Sequence, residues 1–191
     1  CNNSSPTLKN VTITNNTANK FGAGIYCYDI SNPTLENVTI TGNTALENGG
    51  GLYLDINSNV NVLNTILWDN GPQEIYLTGA SDTITVAYSD VQGGQDSLIT
   101  NGGSVNWGEG NIDVDPMFTD TANEDYSLTA DSRLIDAGHP DSTDPDGTIA
   151  DMGAYYYDQA GQPTRVLDLI TAPAASAIGL AWAASTDASS Y

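Results

Sequence analysis

Apolar and polar side chains alternate over short stretches in the first hundred residues of the chain. Val11 and Ile13 flank Thr12, and the same alternation runs on either side of Tyr26. A period of two is typical of β-strands, whose successive side chains point to opposite faces. Asn, Gly, Ser and Pro lie between these stretches and supply turns. The pattern therefore predicts a series of short strands joined by turns.

The strand pattern is itself repeated. The segment 6–14 reads PTLKNVTIT, the segment 33–41 reads PTLENVTIT, and a fainter third copy lies around Asn64 at the same offset. In a strand-rich sequence, a repeat of this length indicates a solenoid in which each coil buries its apolar face against its neighbours. Crossovers between parallel strands are right-handed. We therefore predict an all-β fold, a right-handed parallel β-helix with about 27 residues per coil.

Residues at equivalent positions of successive coils are expected to stack. Asn10, Asn37 and Asn64 share one phase of the repeat, and stacked amides can hydrogen-bond from coil to coil. Alternatively, they are separate turn residues that tolerate left-handed dihedral angles. Cys1 occupies, in the preceding coil, the position equivalent to that of Cys27. The chain is therefore expected to begin in mid-repeat. Their stacked thiols form a small apolar column or, with adjustment, a disulfide.

The regularity of the repeat divides the chain into three regions. We assign residues 1–91 to the β-helix coils, 92–158 to an irregular C-terminal cap over the last coil, and 159–191 to a linker and the start of another domain. Ile66 and Trp68 occupy outward positions of the third coil that are threonines in the second. Apolar residues at such positions require a cover, for which we expect the Gly-rich loop at the start of the cap or the tail.

The motifs of the cap carry a family resemblance. They are, in order, Gly110-Asn111-Ile112, Asp115–Phe118, Asp125–Leu128, Leu134–Gly138, Asp144–Thr148 and Asp151–Tyr155. In this order they resemble the end of secreted bacterial right-handed parallel β-helix proteins, which a choice-of-anchor-type module closes. The resemblance covers residues 2–158 and implies a secreted or cell-surface bacterial protein. It implies no particular activity, because such proteins include both lyases and adhesins.

The tail resembles a second module. Residues 163–169 and 178–182 are similar to the first two strands of a fibronectin type III domain, in which Trp182 would enter the core. An immunoglobulin-like sandwich needs about 100 residues. Residues 159–191 therefore correspond to only a partial fibronectin III-like segment, and the alternative is a linker rich in Ala, Ser and Thr.

The charge of the chain limits its partners. Lys and Arg together number 4, Asp and Glu number 24, and the formal net charge is −20. Phosphate-rich partners require basic side chains, so the composition excludes nucleic acid and anionic membranes. The apolar stretch 166–184 is interrupted by Asp168 and Pro173, and we predict no transmembrane segment.

An acidic loop near the end of the cap is the candidate metal site. It runs from residue 141 to residue 151 as DSTDPDGTIAD, and alternating carboxylates around a glycine can wrap a hard cation with oxygen ligands. The predicted ion is calcium, and its predicted ligands are Asp141, Asp144, Asp146, Thr148 and Asp151. The alternative is a solvated acidic turn that binds no ion.

Outward aromatic side chains are the candidate contact residues. Tyr26 and Tyr53 share one phase of the repeat, Tyr28 lies beside them, and Trp68 points outward in the third coil. Such rings can hold the face of a sugar or another protein. The alternative is that they pack against one another from coil to coil.

The sequence contains no catalytic constellation. The basic residues are isolated, and no Ser-His-Asp arrangement or metal-hydrolase motif is present. We therefore predict a non-catalytic extracellular scaffold or adhesin-like segment that binds carbohydrate or a surface protein. One alternative is the C-terminal part of a polysaccharide lyase or glycoside hydrolase whose active coils lie upstream. Another is a self-associating subunit of a surface filament, because open coil ends can pair with neighbouring chains.

Overall fold

The computed structural model of the protein describes residues 1–160, and this part of the chain is almost entirely β-structure. Two short 3₁₀ helices, Gln95–Ser97 and Thr121–Asn123, interrupt the strands. The strands are β1 Thr7–Thr14, β2 Thr17–Ala18, β3 Ile25–Cys27, β4 Thr34–Thr41, β5 Thr44–Ala45, β6 Leu52–Leu54, β7 Asn59–Leu63, β8 Ile66–Trp68, β9 Ile75–Leu77, β10 Thr83–Ala87, β11 Asp90–Val91, β12 Ser104–Trp107, β13 Phe118–Asp120 and β14 Asp125–Leu128.

The chain divides into two units, Cys1–Asp158 and Gln159–Tyr191. The predicted fibronectin III-like segment belongs to the second unit and, apart from its first two residues, lies outside the described residues. No helix between residues 1 and 160 has the length and apolar character needed to cross a membrane.

Equivalent strands of successive coils pair in parallel, which confirms the predicted parallel β-helix. Thr7 of β1 lies opposite Thr34 of β4, and Thr34 lies opposite Asn61 of β7. Each step equals the period of the sequence repeat. On a second side of the coil, β3, β6 and β9 form a three-stranded parallel sheet in the same order. The repeat therefore sets the register of the strand pairs in the first coils.

The coils become shorter and continue past residue 91. Leu63 of β7 pairs with Ala87 of β10, and β10 pairs with β12 through Thr83 and Ser104. The shortening begins in the turn between β8 and β9. Before this turn, Thr44 bridges to Gly71, which lies one full repeat further along the chain. After it, Leu52 pairs with Ile75, which lies less than one full repeat further along. Because the missing residues are missing from the turn and not from the strands, the strands remain stacked although the sequence period is lost.

The interior of the solenoid is a continuous apolar column. Side chains from one face of each strand point inward, and those that are completely buried include Leu35, Val38, Ile40, Leu52, Leu54, Leu67, Ile75, Leu77 and Ile84. Burial of one such side chain contributes about 1.5–3 kcal/mol. No coil can bury these residues alone, because each one contacts the coils above and below.

Residues 116–157, hereafter the lateral segment, pack against the outside of the large sheet that contains β4 and β8. The buried cluster between them combines Ile66 with Leu128, Leu134, Ile135 and Met152, and Trp68 packs against its edge. The lateral segment is thus the cover that the outward apolar residues of the third coil require. The sequence had led us to expect that cover from the Gly-rich loop or the tail.

Three hydrogen bonds attach the lateral segment to different coils. Asn15 donates from Nδ2 to the Tyr126 hydroxyl at 2.8 Å. Thr39 Oγ1 accepts from the backbone N–H of Ala154 at 2.9 Å, and the Asn64 carbonyl accepts from Gly153 at 2.8 Å. Of the segment assigned to a cap over the last coil, residues 116–157 therefore run along the side of the first three coils, and two cavities lie between them.

Candidate functional site

The larger cavity, of about 760 Å³, lies where the acidic loop faces the outer surface of the first two coils. We call it the loop groove. One wall comes from β1 and β4 and the other from the end of the lateral segment. Its polar and aromatic lining includes Lys9, Asn10, Glu36, Asn37, Asp144, Tyr155 and Tyr156.

Two tyrosine rings form the exposed rim of the loop groove. Tyr155 is 47% exposed and Tyr156 is 43% exposed. The backbone on either side of the pair is anchored, because Ala154 donates to Thr39 Oγ1 at 2.9 Å and Tyr157 donates to Asp151 Oδ2 at 2.6 Å. The pair has no signal in the sequence, because it lies in the irregular region, where no repeat marks outward positions.

An ion pair crosses the floor of the loop groove. Lys9 and Glu36 are in register on β1 and β4, and Lys9 Nζ lies 2.6 Å from Glu36 Oε1. Both side chains are solvent-accessible, and exposed pairs of this kind contribute only about 0–1 kcal/mol. A ligand with hydroxyl groups can therefore replace this pairing at little cost.

The acidic loop is a small hairpin whose carboxylates accept hydrogen bonds from the loop itself. Asp146 Oδ1 accepts from the Thr148 hydroxyl at 2.7 Å and from the Thr148 N–H at 3.1 Å. Asp144 Oδ2 accepts from the Asp151 N–H at 2.8 Å, while the Asp141 N–H donates to His139 Nδ1 at 3.1 Å. Within residues 1–160, no three His, Cys, Asp or Glu side chains are grouped to hold a metal ion. The calcium site remains a prediction from the sequence.

Burial changes the charge of this loop near neutral pH. Asp151 is almost completely buried and accepts from the N–H groups of Asp136 and Tyr157. Its burial raises the pKa of its carboxyl to about 7, and the charges of Asp144 and Asp136 act in the same direction. Burial also raises the pKa of Asp144. The groove is therefore less negative at neutral pH than its residue types suggest.

The predicted contact tyrosines form a column of packed rings on the three-stranded sheet. Tyr53 stacks on Tyr76 with centroids 5.3 Å apart and on Phe21 at 4.7 Å, and Tyr26 meets its edge at 5.1 Å. Tyr53 is consequently only 6% exposed, whereas Tyr28 remains exposed beside the column. The faces of Tyr53 are occupied by neighbouring rings, and its role as a ligand contact remains a prediction.

Tyr76 is a member of this column that the sequence analysis missed. It follows Tyr53 at less than one full repeat, because the intervening turn is shorter, and so it falls out of the period. The signal that identifies it is the motif Ile75-Tyr76-Leu77, which has the same pattern as Leu52-Tyr53-Leu54. Trp68, the other predicted contact residue, is half-buried against the lateral segment.

Asn10, Asn37 and Asn64 share the left-handed turn conformation, and one amide hydrogen bond of the predicted ladder is present, between Asn64 and Asn37. All three adopt left-handed backbone conformations, with φ values of 54°, 52° and 47°. Asn64 Nδ2 also donates to Asn37 Oδ1 at 3.4 Å. Its own Oδ1 accepts from the backbone N–H of His139 at 2.7 Å, so this position ties the coils to the lateral segment.

A second and more extensive asparagine column was not predicted. Asn16 Nδ2 donates to Asn43 Oδ1 at 2.9 Å, and Asn43 Nδ2 donates to Asn70 Oδ1 at 2.8 Å. Asn70 Nδ2 in turn donates to Glu74 Oε2 at 2.6 Å. We call these four residues the amide column. The regular spacing of its three asparagines, one in each repeat, was a signal in the sequence that could have identified it.

Cys1 and Cys27 are both free thiols in the structure. The Tyr28 N–H donates to the Cys1 carbonyl at 3.2 Å, so Cys1 lies in the coil before Cys27. Cys27 pairs in register with Leu54 and is completely buried. Burial raises the pKa of its thiol to about 11, which makes it an unreactive part of the core.

The repeats of this chain match one family of known proteins. The family model described as right handed beta helix region matches residues 1–115, which is more than half of the chain. Neither the curated proteins nor the solved structures gave a match. Together with the parallel stacking of its coils, this match shows that the chain belongs to the right-handed β-helix family.

Proposed function

We propose that this protein is an extracellular scaffold that binds carbohydrate in the loop groove. The observation that carries the proposal is the pair of exposed rings, Tyr155 and Tyr156, at the rim of a groove whose other residues are mostly hydrogen-bonding. Aromatic rings present flat apolar faces to the C–H groups of a sugar. Polar side chains beneath them can fix the positions of the hydroxyl groups.

The charges of the groove favour a neutral sugar over an acidic one. Glu36, Asp144 and Asp151 line it together with a single cationic side chain, Lys9, which is paired with Glu36. An acidic polysaccharide would find no unpaired cationic side chain among these lining residues, and its carboxylates would lie close to Glu36 and Asp144, so like charges would disfavour binding. A neutral glycan avoids that repulsion and can hydrogen-bond to the amide and hydroxyl groups of the lining.

The extracellular location rests on composition and on the resemblance of the cap motifs. A net charge of −20 in a chain with 4 basic residues keeps a displayed scaffold soluble by self-repulsion. The β-helix itself supplies a rigid support, because its register is fixed by the apolar core and, in the first three coils, also by the amide column. Secretion or display on a bacterial surface is part of the proposal and requires its own test by cell fractionation.

Glycan-array screening followed by calorimetry tests the binding proposal. Neutral glycans are expected to bind, and Tyr155→Ala and Tyr156→Ala are each expected to weaken binding by about tenfold, through loss of ring contact. The control is Leu46→Ala, which removes an exposed apolar side chain that does not line the loop groove. Unchanged affinity in both groove variants, a larger loss in the control, or failure of every glycan to bind would contradict the proposal.

A further inference from the structure

A second cavity, of about 560 Å³, lies between the lateral segment and the stacked turns that follow β4 and β8. We call it the aromatic cavity. Trp68, Phe118 and Tyr126 line it, together with the carboxylates of Asp69 and Asp115. None of these residues lines the loop groove, so the two cavities are separate sites.

The aromatic rings of this cavity are held in place by their neighbours. Phe118 and Tyr126 pack edge to face with centroids 5.5 Å apart. The Tyr126 hydroxyl accepts from Asn15 Nδ2 at 2.8 Å, and Trp68 packs against the buried cluster beneath the lateral segment. The rings are therefore arranged before any ligand arrives, which reduces the entropy cost of binding.

The cavity is also strongly negative. Asp69 and Asp115 are exposed at its surface, and none of its described lining residues is basic. Behind them lies Asp90, which is completely buried; its Oδ1 accepts from the Val114 N–H at 3.0 Å, while its Oδ2 has no hydrogen-bond partner. Burial raises the pKa of Asp90 to about 7, so the negative potential of the cavity comes mainly from Asp69 and Asp115 at its surface.

Aromatic walls combined with carboxylates select one class of ligand. Calcium and magnesium require six or more oxygen ligands, or retain several waters, and ring faces supply none. An alkylated ammonium ion is weakly hydrated, and it is attracted both to the faces of Trp, Tyr and Phe and to nearby negative charge. A neutral apolar ligand would use the rings but gain nothing from Asp69 and Asp115.

We propose that the aromatic cavity binds an organic ammonium ion, such as a quaternary or methylated amine, with Trp68, Phe118 and Tyr126 around the cation and Asp69 and Asp115 as its counter-charges. The cation is part of a small molecule or of a headgroup carried by a larger glycan or lipid. The shared chemistry is the alkylated ammonium group, and free choline is the simplest probe of it.

Calorimetric titration of the full chain with choline and with its uncharged carbon analogue, 3,3-dimethyl-1-butanol, tests the proposal. Choline is expected to bind saturably at one site, and the analogue is expected to bind at least about tenfold more weakly. Asp69→Asn and Asp115→Asn should each weaken choline binding by about threefold or more. Phe118→Leu keeps apolar volume but removes a ring, and it should weaken binding as well.

The control variant is Glu47→Gln, which removes an exposed carboxylate near Tyr53, outside this cavity. It should leave choline affinity unchanged. Equal affinity for choline and the neutral analogue, equal losses in the control and the two aspartate variants, or no saturable choline binding would overturn the proposal. Tight binding of calcium in place of choline would overturn it too, since the site would then select inorganic cations. The two aspartates are exposed, so their substitution leaves the fold intact, and circular dichroism checks this.

Discussion

Asn43 and Asn70 are joined side chain to side chain by a hydrogen bond of 2.8 Å, although 27 residues separate them along the chain. The same bond joins Asn16 to Asn43, and Glu74 accepts the last one. The amides of the column also donate to backbone carbonyls, as Asn43 does to Ile13 of the preceding coil at 2.8 Å. The amide column therefore satisfies buried backbone groups and fixes the vertical spacing of three coils.

Substitution of Asn43 by alanine is expected to destabilise the protein by about 2–4 kcal/mol, because it removes several hydrogen bonds of a buried side chain. Among the bonds lost are those that Asn43 Nδ2 donates to Asn70 Oδ1 and to the Thr41 carbonyl, both of which are buried. The control is Asn61→Ala, at an exposed position of β7, which should cost less than about 0.5 kcal/mol. Urea unfolding measures the free energy of unfolding of both variants. Equal losses of stability would show that the amide column stabilises the protein no more than an exposed asparagine does.

Protonation of buried carboxylates should make the protein more stable at mildly acidic than at alkaline pH. Burial raises the pKa of Asp90 from 3.8 to about 7 and that of Glu74 from 4.5 to about 7. At a pH between the unfolded and the folded pKa values, the folded protein holds protons that the unfolded chain has released. This contribution is therefore complete below the unfolded pKa and is lost as pH rises through about 7.

The variant Asp90→Asn should reduce that pH dependence. Its melting temperature should vary less between about pH 5 and about pH 8 than that of the unmodified protein. The difference should be about 2–4 °C for each kcal/mol of stability that protonation of Asp90 contributes. Glu109→Gln, at an exposed position, is the control and should keep the original profile. A melting curve series that is unchanged in Asp90→Asn would show that this carboxyl does not titrate with folding.

Two glycines should respond differently to alanine. A Cβ atom at Gly50 would collide with Gly71 O, and it would lie 2.6 Å from Gly71 N and 2.7 Å from Asn43 O. These are backbone atoms that cannot move aside, so Gly50→Ala should cost about 1–3 kcal/mol or more. A Cβ at Gly79 meets nothing within 4 Å, and Gly79→Ala should change stability by less than about 1 kcal/mol. Thermal unfolding of the two variants in parallel decides the matter.

Leu134→Ala should loosen the lateral segment. Leu134 is completely buried between this segment and the large sheet, and such truncations cost about 2–5 kcal/mol. Hydrogen exchange is expected to accelerate within residues 116–157 more than in the coils, because the coils have a separate core. Leu46→Ala, at a position that is 69% exposed, serves as the control. Uniform acceleration throughout residues 1–160 would show that the two parts unfold together.

Chelation tests the calcium site predicted from the sequence. If the acidic loop binds calcium, EDTA should lower the melting temperature, because an ion that binds only the folded state stabilises it. Asp146→Asn should reduce that shift while its remaining oxygen can still accept from Thr148. Asp131→Asn, outside the loop, should not. An identical melting temperature with and without EDTA would remove calcium from the description of this loop.

The site was less predictable from the sequence than the fold, for reasons visible in single residues. Tyr53 was recognised as outward-facing because Tyr26 occupies the same position one repeat earlier. Tyr155 and Tyr156 have no such counterpart, and their exposure depends on how Ala154 and Tyr157 are anchored. The acidic loop was recognised by its composition alone, and composition does not specify that its carboxylates accept hydrogen bonds from the loop.

The sequence by itself determined the solenoid, because each repeat places like residues one above another and only parallel stacking of the coils buries them. The period of the repeat and the alternation of side chains are sufficient to predict it. The path of the lateral segment was decided only by the tertiary structure. Contacts such as Asn15 with Tyr126, which are 111 residues apart, join a repeating region to a non-repeating one. No local pattern specifies such a contact, and both cavities depend on contacts of this kind.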